Sequence, residues 1–394
     1  MRASASRILV VLGVWSIGLV PAVAAQTTYP NVKLQGRLQE EFYFFDNSDY
    51  APALGPESNF FVRRARIEAR GQISENVAVF IQPSFEGGRP LNATTTCTSA
   101  PVPPGGGTPA VTCTTTGRSG LRLRDAWIDV RFGPEGQKTA FYLRGGQEKR
   151  PYSRYELTSS VNLPSIERGA GQGLVPRASN DIFSAAGFLS HDVGASLRME
   201  HKLDDVRLVT LKFGAYNGQG ESLNDVNNKK SFGARGTFAV TPKLDVGGSW
   251  FTHDAIVTST AGVVDSGFTN TAFGFDAQWG KVGDEGLWAL AEYLQGDNSI
   301  ATKPEMRGFQ ALAAYNIRMK SPTAWLYAVE PSFRIDLADP NSDAESDRVT
   351  TMTAVLGVYF SSRAYLRVAY ERESFQDDIT PSISGVRSML AVNF

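Results

Sequence analysis

Beyond its first 25 residues the chain has no run of 18 apolar residues, so no part of the remainder can cross a membrane as an apolar helix. Histidine and cysteine are scarce, with three of one and two of the other in 394 residues. His191, His201 and His253 lie far apart in candidate strands or at their ends. No Gly-x-Ser-x-Gly or His-Glu-x-x-His occurs, so hydrolase chemistry has no motif to rest on. Gly169-Ala170-Gly171-Gln172-Gly173 lacks the preceding strand and following helix that a phosphate-cradling glycine loop needs, and reads as a flexible loop. Asp339, Asn341, Asp343 and Glu345 have the odd spacing of a calcium loop. However, Ala344 stands where the required glycine belongs, and Thr350 where the bidentate glutamate belongs. This segment reads as a solvated acidic loop, with surface cation or lipopolysaccharide contact as the alternative. These absences lead us to expect no enzyme, no cofactor and no bound metal. Net charge is −1, so the global balance argues nothing about partners; no nucleic-acid partner is expected.

The first 25 residues are of a different kind. Arg2 and Arg7 precede the 13-residue apolar run Ile8–Val20, and Pro21 then leads into Ala22-Val23-Ala24-Ala25. A basic flank, a short apolar segment and small residues before a cut define a secretory signal peptide, ending after Ala24 or Ala25. As a helix the apolar run would reach only ~20 Å, short of the ~30 Å hydrocarbon core. We therefore divide the chain into a leader, residues 1–25, and one domain, 26–394.

An exported chain without spanning helices is either soluble or crosses a membrane as strands. Glycine at 38 residues and aromatics at 11% favour strands. An apolar content of 42% with a slightly polar mean hydropathy of −0.19 suits a barrel with a wet interior, where only alternate residues meet lipid. Alternation begins at Lys33–Phe45, with Leu34, Gly36, Leu38, Phe42 and Phe44 on one face. Lys33, Gln35, Arg37, Gln39 and Glu41 take the other. In Phe61–Gly71 the faces are Phe61, Ala65, Ile67 and Ala69 against Arg64, Arg66, Glu68 and Arg70. The rhythm continues to the C-terminus and predicts sixteen strands, with short turns such as Thr241-Pro242-Lys243 alternating with long connections. Leu390, Val392 and Phe394 alternate up to the terminus itself, and a terminal aromatic resembles the outer-membrane assembly signal. A soluble β-sandwich or propeller is disfavoured because its second face would have to bury these arginines. The expected fold is all-β, a 16-stranded antiparallel transmembrane β-barrel in the bacterial outer membrane. Cys97 and Cys113 share a Thr/Pro/Gly-rich segment with 15 residues between them. In an exported chain this reads as a local disulfide closing a loop, worth ~3 kcal/mol of loop-closure entropy.

Selectivity in such a barrel comes from wall charges and from a loop folded inwards. The connection of about 40 residues between the fifth and sixth strands, roughly 150–190, is the longest and is expected to form that constriction. Arginine on the lipid face would cost ~2–4 kcal/mol near the midplane, so Arg37, Arg64, Arg66 and Arg70 must face water. They favour anions, or else pair with Glu40, Glu41, Glu68 and Glu86 to hold the wall.

Leu34-Gln35-Gly36-Arg37-Leu38-Gln39, Phe61-Val62-Arg63-Arg64-Ala65, Glu156-Leu157-Thr158-Ser159-Ser160 and Ile166-Glu167-Arg168, in this order and spacing, resemble the phosphate-selective porin O and P family. The resemblance implies a sixteen-stranded homotrimer whose lumen arginines and inward loop bind phosphate or pyrophosphate. Carried over residue by residue, it nominates Arg37, Arg63, Arg64, Ser159, Ser160 and Arg168 as anion-binding residues; the strand pattern adds Arg66. Strict alternation would put Arg63 and Arg64 on opposite faces, so either a bulge admits both to water or Arg63 snorkels to a rim. Three departures weaken the carry-over of phosphate specificity. Glu156 stands where phosphate-specific members carry a lysine, Arg66 where they carry an aromatic, and Gln295-Gly296 where they carry basic residues. The expected partners are inorganic anions, phosphate among them, with outer-membrane lipid and lipopolysaccharide around the barrel. Two alternatives stay open: a general diffusion porin with weak or no anion selectivity, and an adhesive or structural barrel whose loops matter more than its lumen.

Overall fold

The computed structural model describes residues 28–46, 57–86, 94–99, 111–116, 121–133, 136–169, 177–221, 225, 229–254, 257–258, 264–265, 269–298, 303–320, 325–377 and 380–394. The leader expected at 1–25 lies outside the described residues, as does most of the glycine-rich segment that begins at Gly169.

Sixteen antiparallel strands close into one barrel. In chain order they are β1 Asn31–Asp46, β2 Ser58–Gln72, β3 Val77–Ser84, β4 Arg122–Phe132, β5 Thr139–Lys149, β6 His191–Lys202, β7 Leu208–Tyr216 and β8 Ser231–Ala239. The second half is β9 Leu244–Asp254, β10 Thr269–Trp279, β11 Gly286–Asp297, β12 Glu305–Arg318, β13 Ala328–Asp339, β14 Val349–Tyr359, β15 Ala364–Phe375 and β16 Ile383–Asn393. All sixteen expected strands are present, and β1 and β2 run one to three residues beyond the limits read from alternation. Two small hairpins, Thr94–Ser99 with Val111–Thr116 and Val257–Thr258 with Val264–Asp265, sit in long connections and do not join the barrel sheet. The first sets Cys97 opposite Cys113 in backbone register, the placement a cross-strand disulfide needs. The two side chains lie outside the described residues.

The strands exist because lipid and water demand opposite faces. Leu34, Leu38, Phe44, Ile67, Ile128 and Leu143 are exposed outward, whereas Arg37, Gln39, Glu41, Arg64 and Glu68 are buried inside. With no water in the hydrocarbon region, a closed ladder is the strand solution that leaves no backbone edge unpaired. Short turns are locally encoded: the Thr241 hydroxyl accepts from Leu244 N at 2.9 Å, and the Ser361 hydroxyl accepts from Ala364 N at 3.0 Å. Closure brings β16 against β1. There Gly36 N donates to Phe394 O at 2.7 Å, and Phe394 N donates to Gly36 O at 2.9 Å. A Cβ at residue 36 would collide with the Phe394 ring, so this glycine is what lets the terminal aromatic seat across the seam.

One face assignment has to be corrected. The register of β1 with β2 shifts between Gln39, opposite Arg64, and Glu40, opposite Val62, leaving Arg63 as the extra residue of a bulge. Parity therefore flips before Arg63. Phe60 and Val62 are exposed outward, whereas Phe61 packs inside beside Tyr43 and Phe45, not on the outer face with Ala65 and Ile67.

Candidate functional site: the inward loop and the wall it faces

The connection 150–190 folds into the barrel, as expected for the third external loop. It carries two short helices, α1 Arg154–Leu157 and α2 Ser179–Ala185. Its two ends are clamped together where the Arg150 guanidinium meets Asp192 at 2.8 Å and the Leu189 carbonyl at 3.3 Å. Ser153 precedes α1 at φ 63°, a strained value for a residue with a Cβ. Its hydroxyl repays this by donating to Glu292 at 2.6 Å and accepting from Glu156 N at 3.1 Å.

One side of the loop is stapled to the wall formed by β9–β16. Tyr152 Oη donates to Phe273 O at 2.8 Å, and Ser179 N and Oγ both donate to Asp336 at 2.8 Å. Arg177 pairs with Glu373 at 2.5 Å. Between these contacts lies an apolar core inside the barrel, in which Tyr152, Phe183 and Phe188 pack on Phe251, Leu294 and Met306. A second patch joins Tyr155 and Leu163 to Trp288, Leu290 and Leu312. The loop's other side faces β1–β7 across a cavity of about 270 Å³.

Of the seven nominated residues, Arg37, Arg66, Ser159, Ser160 and Arg168 line this cavity. Arg37 donates to Ser160 Oγ at 3.3 Å and Ser159 Oγ at 3.5 Å, joining the wall to the loop. Arg63 and Arg64 are not part of the lining. The bulge does bring both to the interior, so neither snorkels to a rim, but they converge on Glu167 of the loop. Arg63 Nη2 donates to Glu167 Oε2 at 2.7 Å, and Arg64 lies 3.7 Å from the same oxygen while donating to Gln39 Oε1 at 3.0 Å. Burial pushes the Glu167 carboxyl up, but Arg63 and Arg64 outweigh it and hold the group far below the ordinary carboxylate value. This cluster fastens the loop to β1 and β2.

Arg70, Arg124, Arg144, Lys149, Lys212 and His191 also line the cavity and were not nominated. Arg144 and Lys212 were readable, because each alternates with outward apolar neighbours. Arg124 was not. The register of β3 with β4 shifts between Gln82, opposite Asp125, and Pro83, opposite Leu123, so Arg124 is the extra residue of a second bulge. Proline is tolerated there because the ladder is already interrupted.

The lining holds eight arginines and lysines against three carboxylates, Glu68, Asp125 and Glu148. Most of the cations are nevertheless partnered. Arg37 pairs with Glu68, Arg66 with Glu86 and Arg124 with Glu221. Arg144 meets Asp129 at 2.7 Å, Lys212 meets Glu148 at 2.7 Å, and Glu156 bridges Lys149 at 3.1 Å and Arg168 at 3.3 Å. Of the wall partners expected for Arg37, Arg64, Arg66 and Arg70, Glu68 and Glu86 serve; Glu41 pairs instead with Arg63 at 3.9 Å and Arg387 at 2.9 Å, and Glu40 stays exposed.

The family model for phosphate-selective porin O and P matches residues 32–260. No curated protein sequence matches the chain. Among solved structures, an anion-selective porin from Comamonas acidovorans is similar with TM-score 0.56 and 13% identity, over 93% of this chain and 100% of that one. OprB of Pseudomonas putida gives 0.55 and 10%, over 93% and 94%. OmpT of Vibrio cholerae in its trimer form gives 0.53 and 11%, over 93% and 99%. At these identities the structural likeness establishes the barrel fold.

Proposed function

The chain belongs to the phosphate-selective porin O and P family, an outer-membrane channel family, and on that premise we propose that it conducts small anions, phosphate and polyphosphate among them, through the passage between its inward loop and β1–β7. It is a channel and not an enzyme. The observation that carries the reading is the excess of arginine and lysine lining the 270 Å³ cavity, with Ser159 and Ser160 presented beside Arg37. In a narrow passage such donors partly replace an anion's hydration, and guanidinium forks match phosphate or carboxylate oxygens. Because most of these donors already have a protein partner, an entering anion displaces rather than fills, and binding stays weak enough for release. The protein works as a homotrimer within outer-membrane lipid and lipopolysaccharide. The anion selectivity named for the Comamonas porin and the trimer named for OmpT accord with this.

The second reading, a general diffusion porin, is favoured by one observation: the carboxylates that neutralise nearly every lining cation. Reversal potential of the purified protein in planar bilayers under a KCl gradient separates the two. A chloride-selective current inhibited by phosphate supports the anion pore. An unselective or cation-selective current indifferent to phosphate leaves the general porin.

A further inference from the structure

The cavity lining is not uniformly polar. Phe80 and Trp127 lie on the β3–β4 wall with ring centroids 5.4 Å apart, and Leu157 lines the same cavity from the loop. A guanidinium group sits over each of these rings. Arg70 Cζ is 4.1 Å from the Phe80 centroid, and Arg144 Cζ is 3.7 Å from that of Trp127. Stacking occupies a guanidinium face but leaves its in-plane N–H edge available to a carboxylate.

Arg70 differs from the other lining cations. Its side chain is 56% exposed and its ion pair, with Glu68, spans 3.8 Å. Arg37, which shares Glu68, is only 9% exposed, and Arg66, Arg144 and Arg168 are 9%, 18% and 14% exposed. Arg70 is therefore a pre-oriented, under-neutralised guanidinium at the edge of an aromatic patch. Inorganic anions have no use for Trp127 and Leu157, because they carry no apolar surface to cover them. A molecule joining a carboxylate to a flat apolar body uses both halves of the lining.

We infer that this cavity is a subsite for small aromatic carboxylates, with the carboxylate taken by Arg70 and the ring lying against Trp127 and Leu157. The inference rests on the anion-channel reading and narrows its substrate class. Covering roughly half of one ring's apolar surface gives about tenfold in affinity over the same head group without a ring.

The test compares inhibition of the KCl current by benzoate, by acetate and by neutral benzamide, using the purified full-length channel in planar bilayers. The expected result is half-inhibition by benzoate at about tenfold lower concentration than by acetate, with benzamide ineffective. Trp127→Gln and, separately, Leu157→Asn should bring the benzoate-to-acetate ratio towards one, each protein being judged against its own acetate value. A ratio of one in the native channel, or equal inhibition by benzamide and benzoate, overturns the inference even where the current is chloride-selective. A cation-selective native current would instead remove the anion-channel reading, and this inference with it.

Discussion

Charge balance around the cavity makes Glu156 a sensitive place to perturb selectivity. Its carboxylate sits on the inward loop, 8% exposed, between Lys149 at 3.1 Å and Arg168 at 3.3 Å, and both cations line the cavity. Glu156→Gln removes one negative charge while keeping the side chain's shape. The two cations have backbone anchors that remain: Lys149 donates to Glu156 O, and Arg168 Nε donates to Tyr155 O at 3.3 Å. One unit charge ~8 Å from a permeating ion is worth about 0.5 kcal/mol at the dielectric of water, and about 2 kcal/mol at an effective value near 20. Even the lower figure changes local anion concentration about twofold and cation concentration about twofold the other way. The chloride-to-potassium permeability ratio should then rise roughly fivefold at low ionic strength, and less above ~0.1 M where screening sets in. Reversal potentials of wild type and variant under a KCl gradient measure this directly. An unchanged or reduced ratio, with the variant still an intact barrel on unheated gels, would mean that ions do not pass this cavity.

The same carboxylate sets a pH signature. Burial pushes it up, yet Lys149 and Arg168 prevail and hold it down to about 2, below its ordinary 4.5. A depressed value keeps the charge, and the anchorage it gives the loop, complete above pH 4.5 and loses both only as pH falls towards 2. The selectivities of wild type and Glu156→Gln should therefore stay apart at pH 5 and converge only as pH falls below about 2. Phe188→Ala should empty part of the apolar core beneath the loop, where Phe188 is fully buried, at a cost of about 3–5 kcal/mol. Single-channel recording should then show larger or noisier conductance, whereas a quiet wild-type trace would argue against that core as the loop's anchor. Cys97 and Cys113 should resist alkylation until reduced, as checked by intact mass. N-terminal sequencing of the mature protein should begin at Ala25 or Gln26.

The strands were legible because lipid enforces a strict rule on every second residue. β1 and β2 enclose the runs Lys33–Phe45 and Phe61–Gly71 for that reason. The bulges were not legible. One extra residue leaves composition and periodicity nearly untouched while reversing parity, so the side of Arg63 stayed open and Phe61 was placed on the wrong face. Ion-pair partners within the wall follow cross-strand register, as with Arg37 and Glu68, which lie diagonally across β1 and β2. The partners supplied by the loop, Glu156 and Glu167, are set by how the loop folds and no local pattern announces them. The apolar core inside the barrel did leave a trace. In β11, Trp288, Leu290 and Leu294 point inward and are buried, while Leu287 and Tyr293 point outward and are exposed. Apolar residues at both parities mark a strand covered on both faces, which in a porin means a wall with something packed against it.

That trace bears on how the lumen works. A loop held by buried Tyr152, Phe183 and Phe188 needs an apolar inner wall, and β9–β13 supply Phe251, Leu294 and Met306 for it. The lined cavity lies on the opposite arc, β1–β7, and the proposed solute path runs there. There the two bulges each add an inward arginine that regular alternation would not provide, Arg63 for the loop latch and Arg124 for the cavity. Loop and strands answer with carboxylates at nearly every cation. In the proposed channel, selectivity would then rest on a small difference between two nearly matched sets of charges. Single substitutions at Glu156 or Arg70 should shift it without touching the packing that holds the loop, because neither residue belongs to the apolar clusters on the far wall.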